Sequence, residues 1–202
     1  MSRLTVLFAA LLVAGSLSLL PPAEAQSSAA KVLEKARSQA REIEELRKIL
    51  NGPDQNMRLA TFDAMVKSGD EALRIIAFEA GLTSADSVMR AMALKALVMR
   101  QEHLILSLTP DPSAPKPVQQ ASAEQLGRQG TAYQLRVEKK NEEAGTFEDR
   151  NKGCVGHISG LEIMVGCSSD NIALTLSDDN ALAGVVRMGH GHSQFLATAR
   201  LR

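Results

Sequence analysis

The sequence predicts an α+β chain: a bundle of repeated helices followed by a small antiparallel β-sandwich or barrel with one disulfide. Three observations predict it. A register of Asp, Met or Leu, Arg and Ala returns every 16 residues between Asp54 and residue 100. After Gly130 the apolar residues stop recurring at helical spacing and begin to alternate. The two cysteines of the chain, Cys154 and Cys167, both fall in the alternating part. The chain divides into four segments: an export signal over 1–25, a helical-repeat domain over 26–106, a proline-rich linker over 107–129 and a β domain over 130–202.

The first segment carries Arg3, a predominantly apolar run from Leu4 to Leu20, then Pro21-Pro22 and the small-residue pattern Ala23-Glu24-Ala25. These are the parts of a signal peptide cleaved after Ala25. An uncleaved anchor is the alternative, but the run is short for a bilayer and ends in a helix breaker. Export to an oxidising periplasm is therefore expected, with no membrane span left after cleavage. Cleavage removes Arg3 and Glu24, one charge of each sign, so the chain stays as balanced as its 23 basic and 23 acidic residues make it. Nothing in that balance favours nucleic acid.

Residues 28–50 place Val32, Leu33, Ala36, Ala40, Ile43, Leu46 and Leu50 at helical spacing, and Asn51-Gly52-Pro53 stops them. This helix is expected to cap the repeats C-terminal to it; the other reading is a coiled-coil arm through which two copies associate. Next come the repeats. Asp54, Asp70 and Asp86 open the copies, Arg58, Arg74 and Arg90 stand four residues later, and Thr61, Ala77 and Ala93 stand beside Phe62, Phe78 and Leu94. Met57, Leu73 and Met89 complete an expected core face, with Ala64, Ala80 and Ala96 at the helix approaches. Asp at a helix start accepts hydrogen bonds from first-turn amides, and Asp four residues before Arg is the favourable order for an intrahelical ion pair. These residues are structural on this reading, because repeats spread them along a ridge and do not gather them.

Asp-x-x-Met-Arg-x-x-Thr, Asp-x-x-Leu-Arg-x-x-Ala and Asp-x-x-Met-Arg-x-x-Ala resemble the Asp-x-x-Val-Arg-x-x-Ala core of HEAT-like repeats, over residues 54 to about 100. HEAT units are helix pairs of about 40 residues, whereas here each single helix restarts the motif. The resemblance implies an α-helical scaffold that binds protein. Pro110, Pro112, Pro115 and Pro117 then read as a semi-extended linker or, less simply, as a docking peptide.

In the β domain, Tyr133, Leu135 and Val137, then Ile172, Leu174 and Leu176, then Phe195, Ala197, Ala199 and Leu201 alternate with polar or small residues. Turn-forming clusters at 141–145, 168–171, 177–180 and 189–191 separate about six or seven strands. A hairpin turning at Gly160-Leu161 sets Cys154 opposite Cys167 and puts Gly156, Ile158, Ile163 and Val165 on one face. A disulfide is expected from that register and from export; free thiols or metal ligands are the alternatives.

His190-Gly191-His192 offers the sharpest chemistry. Alternate residues of an extended strand point the same way, so two imidazoles can share a zinc or copper ion, with His157 as a third ligand; a glycine-flanked turn explains the same residues. Asp178-Asp179-Asn180 lacks the further oxygen ligands of a calcium loop and reads as a turn. His103 reads as a helix-end residue. The sequence holds no Gly-x-Ser-x-Gly elbow, phosphate-cradling glycine loop or His-Glu-x-x-His helix. With Tyr133, Phe147 and Phe195 as its aromatics, the β domain is a poor sugar-stacking surface. The expected function is that of a periplasmic, non-catalytic protein-binding or scaffold protein without a cofactor, its partner unidentified. The alternatives are metal binding through the three histidines and inhibition of a hydrolase by the β domain.

Overall fold

The computed structural model describes residues 23–201, so the expected signal over 1–25 lies outside the described residues except for its last three. By compactness the chain divides after Glu42. The first helix, α1 (Ala23–Leu50), runs through that division. Residues 28–42 are exposed, Val32 at 69% and Leu33 at 51%, so the stripe expected to act as a cap is uncovered there. From Ile43 onward the helix turns apolar residues into a core, where Leu46 and Leu50 pack.

Helices α2 (Gln55–Lys67), α3 (Glu71–Leu82) and α4 (Ser87–Arg100) begin where the 16-residue register places them. Asp54, Asp70 and Asp86 are their N-caps. Asp54 accepts from the Met57 N–H, Asp70 from Ala72 and Leu73, and Asp86 from Val88 and Met89. The arginines correct the expected pairing with these aspartates. Arg58 reaches Asp86, 2.7 Å away in the third copy, and donates to the carbonyls of Gly52 and Pro53. Arg74 pairs with Glu71, and Arg90 with Asp178 and the carbonyl of Ser177. The reason is local: a cap residue has extended backbone, which turns its carboxylate over the helix end instead of along the side where the residue four ahead lies.

Between the helices Phe62 and Phe78 meet edge to face at 6.3 Å, and Thr61, Ala77, Ala93 and Met89 are buried. Met57 departs from the expected core face and is 50% exposed. α4 is covered on two sides, by the other helices and by strands, because Leu94, Val98 and Met99 belong to the core of the sheet. The buried apolar residues of α2, Phe62 and Met65, belong to the core of the helices and not to that of the sheet.

The sheet contains β1 (His103–Pro110), β2 (Ala132–Arg136), β3 (Glu138–Asn141), β4 (Thr146–Asp149), β5 (Cys154–Ser159), β6 (Glu162–Gly166), β7 (Asn171–Leu176), β8 (Ala181–Met188) and β9 (Ser193–Arg200). All are antiparallel, in the order β2-β1-β9-β8-β7-β6-β5-β4-β3. The two ends of that order, β2 and β3, adjoin in sequence through Val137, and β2 also lies near β4, so the sheet curls into a nearly closed barrel. Alternate residues fill it, among them Leu106, Leu135, Phe147, Ile163, Leu174, Leu182 and Phe195. The β5–β6 hairpin has the register expected from the cysteines, with Gly156 opposite Val165 and Ile158 opposite Ile163. Cys154 and Cys167 form a disulfide, which suggests a non-cytoplasmic environment.

Residues 107–129, expected to be a linker between two units, correct that expectation. Their start completes β1, and Lys116–Gln129 is helix α5, with Pro117 in its first turn, where a missing N–H costs nothing. The helix is fastened to β9 by Ser122, wholly buried, whose hydroxyl donates to the Gln194 carbonyl and accepts the Gln194 N–H. Asp111, also buried, holds the preceding turn by accepting from Ser113 and from the Gln194 side chain. His103 opens β1 and is exposed; it does not end a helix.

Candidate functional site

One mouth of the barrel collects α5 and the β4–β5, β6–β7 and β8–β9 connections around a cleft of about 930 Å³. Its position stems from the chain's cross-link. The disulfide joins the start of β5 to the residue after β6, and the Cys167 N–H donates to the Asp170 carbonyl. Lys152, two residues before one cysteine, and Asp170, three after the other, are thereby held in one wall. The β8–β9 turn is tied to the same wall: the His190 N–H donates to the Ser169 carbonyl, and the Gly189 N–H to an Asp170 carboxylate oxygen.

The floor is polar and partly desolvated. Tyr133 is 8% exposed, and its hydroxyl is buried with no hydrogen bond of ordinary geometry. Burial, then the negative charges of Asp170 and Asp149, push the phenol up to about 12, with the Asp170 carboxylate favouring the protonated form. It is therefore a standing donor at any physiological pH and not a base. The Lys152 ammonium sits 3.4 Å from the centre of the Tyr133 ring and donates to the Gln134 carbonyl at 2.6 Å. Its pKa is lowered by burial, against the pull of Asp149 and Asp170 in the other direction. Asp149, 1% exposed, is fully engaged: one oxygen accepts the Arg136 N–H at 2.9 Å and the other the Lys152 N–H. Arg128 and Gln125 on α5 and His192 complete the rim.

A second, apolar hollow of about 540 Å³ lies at the opposite mouth, between α2, α4 and the β3–β4 turn. Phe62, Val66, Met92 and Met99 line it, and Lys95, Arg100, Glu142 and Glu143 surround it. It holds no buried polar group lacking a partner.

The metal reading fares differently. His190 and His192 lie in the β8–β9 turn, His190 at a φ of 58°, so the alternation of an extended strand does not apply to them. The His192 Nδ1 is in contact with the Gly189 carbonyl. His157 lies exposed on the outer face of β5, opposite Met164 and Thr146. Among the described residues no group of three His, Cys, Asp or Glu side chains is placed to hold a metal ion. Asp178 leaves its turn to meet Arg90, and Asp179 accepts from Ser177. The repeat residues Asp54, Arg58, Asp70, Arg74, Asp86 and Arg90 stand on the helical bundle, and none lines the larger cleft.

Sequence reasoning placed Tyr133 in an alternating strand and among the aromatics and Asp170 in a turn-forming cluster, and it passed over Lys152 and Asp149. Asp149 and Lys152 come from the end of β4 and the connection that follows it, Asp170 from the β6–β7 connection, and no motif spacing links the two; the cysteine register was the one signal pointing there. Comparison with protein-family models, curated proteins and solved structures finds no match for this chain.

Proposed function

We propose that this chain is an exported, non-catalytic binding protein that holds a partner protein in the cleft at the α5 mouth of its barrel. The observation that carries the reading is the wall of an open polar cleft in which the buried Tyr133 hydroxyl, with the Asp170 carboxylate as its neighbour and no hydrogen bond of ordinary geometry, stands beside the Lys152 ammonium. Leaving such a group without a good hydrogen bond costs on the order of 1–3 kcal/mol, a cost that a bound ligand relieves. Export to the periplasm is supported by the Leu4–Leu20 run ahead of Ala23-Glu24-Ala25 and by the disulfide. We read residues 54–100 as HEAT-like on the strength of three identically capped helices at one spacing. Their place against the barrel makes them its plug, with less free surface than a repeat array would offer.

The test uses the chain from Gln26 immobilised in parallel with Lys152→Glu, each exposed to envelope extract of the producing cell. A specific partner is expected on the parent chain, with capture reduced about tenfold by the charge reversal. A partner retained equally by both chains, or no specific partner at all, overturns the reading.

A further inference from the structure

Resting on that reading, we propose that the ligand is a stretch of extended polypeptide that pairs with the free main-chain edge of β2, adding a strand at the seam of the barrel. The register of β2 shows which groups are free. The Leu108 N–H donates to the Thr131 carbonyl and the Val137 N–H to the Glu102 carbonyl, so residues 131, 133, 135 and 137 bond to β1. In an antiparallel ladder the residues between them turn their N–H and C=O groups the other way. Ala132, Gln134 and Arg136 therefore face the seam between β2 and β4, where the order of strands ends.

Side chains occupy part of that edge in place of a strand. Asp149 takes the Arg136 N–H at 2.9 Å, as a neighbouring carbonyl would, and Lys152 gives a proton to the Gln134 carbonyl at 2.6 Å, as a neighbouring amide would. The seam is bridged in this way at Arg136 and Gln134. Toward Ala132 it opens into the cleft, and neither the Gln134 N–H nor the Ala132 groups make a hydrogen bond within the described residues. Their own side chains are exposed and uncharged, so they lack the charged residues that usually protect an edge.

The walls favour the same guest. Tyr133 and Lys152 donate, and Asp170, with one oxygen held by Ser169 and Gly189, accepts. A main chain offers a carbonyl and an amide by turns and meets both kinds of group. A bare anion would meet Lys152 together with the carboxylates of Asp149 and Asp170. Strand addition of this kind draws affinity from the main chain and leaves side-chain selection to the walls.

The test tracks amide hydrogen exchange in the isotope-labelled chain from Gln26, with a pool of random-sequence hexapeptides, acetylated and amidated at their ends, as the probe. The Ala132 and Gln134 amides are expected to exchange freely alone and to gain about tenfold protection with the pool. A pool N-methylated at every residue is expected to give no protection. Gln134→Pro removes a seam-facing N–H from an edge strand without touching the β1 ladder, and is expected to weaken the pool about tenfold while Leu108 stays protected. No protection by the pool, or equal protection by its N-methylated form, overturns the inference. If strand pairing fails in this way while Lys152→Glu still releases the captured partner, the cleft holds its ligand by side chains and the binding reading stands. Protection already present without peptide, and lost on dilution, identifies a second copy as the occupant and also overturns it.

Discussion

Asp54, Asp70 and Asp86 are equivalent in sequence and unequal in structure. Asp54 serves one amide, whereas Asp86 serves two amides, Arg58 and Gln55. The Arg58 and Asp86 side chains are 17% and 9% exposed, so solvent screens their pair less than it screens a surface one. Asp54→Ala is expected to cost about 1 kcal/mol, the usual worth of a cap, and Asp86→Ala clearly more, as read by urea unfolding. The pair also sets a pH dependence. The Arg58 hydrogen bond, with Gln55 and the two amides, holds the Asp86 carboxyl below its ordinary value. A depressed carboxyl contributes stability that is complete above its unfolded pKa, about 3.9, and is lost as pH falls from there through the folded value. Asp86→Asn should flatten the acid limb of the urea midpoint below about pH 5 while lowering stability at neutral pH; an unchanged acid limb would contradict the assignment. The caps were legible because a cap answers to its own helix. The partners of Arg58 and Arg90 were not, since they lie 28 and 88 residues away and exist only once helices and strands pack.

The elements divide along the same line between local and distant causes. The β5–β6 hairpin was legible to the residue because two cysteines and an alternating apolar face admit one register. β1 and α5 were hidden by four prolines read as a linker, although Leu104, Leu106 and Leu108 alternate and Pro117 sits in a helical first turn. Those prolines fall where prolines are tolerated, at a strand end, in a turn and at a helix start, so their number misled where their positions would have informed. Gly184 in β8 tests how tightly the strands fit. A Cβ there would collide with the Ala173 carbonyl oxygen and lie 2.8 Å from the Leu174 Cα, main-chain atoms of β7 that cannot yield without breaking the ladder. At Gly166 a Cβ meets nothing within 4 Å. Gly184→Ala is expected to destabilise by about 3 kcal/mol and Gly166→Ala to be nearly neutral, as compared by chemical denaturation. Equal effects would mean that the sheet has slack at Gly184.

At the scale of the molecule, α4 decides whether the helices and the barrel are two units or one. Its Met89, Ala93 and Leu97 belong to the core of the helices, while Leu94, Val98 and Met99 belong to the core of the barrel, and Leu82 and Leu201 touch both. A helix buried on both sides cannot leave one core without opening the other. Residues from Ile43 onward should therefore unfold in one transition. The chain carries its own reporter, since Tyr133 is its single tyrosine and it has no tryptophan, so tyrosine fluorescence reports on the barrel alone. The amide resonances of α3 report on the helices. In urea the two signals are expected to share one midpoint, and Leu94→Ala, at a wholly buried position, should lower both together by about 3 kcal/mol. Separate domains joined by a linker would behave differently: the substitution would shift the α3 signal and leave Tyr133 where it was. Coupling of this kind also bears on binding, because a cleft at one mouth is only as rigid as a barrel whose other mouth is stoppered by α4, and Leu94→Ala should loosen Tyr133 without touching it.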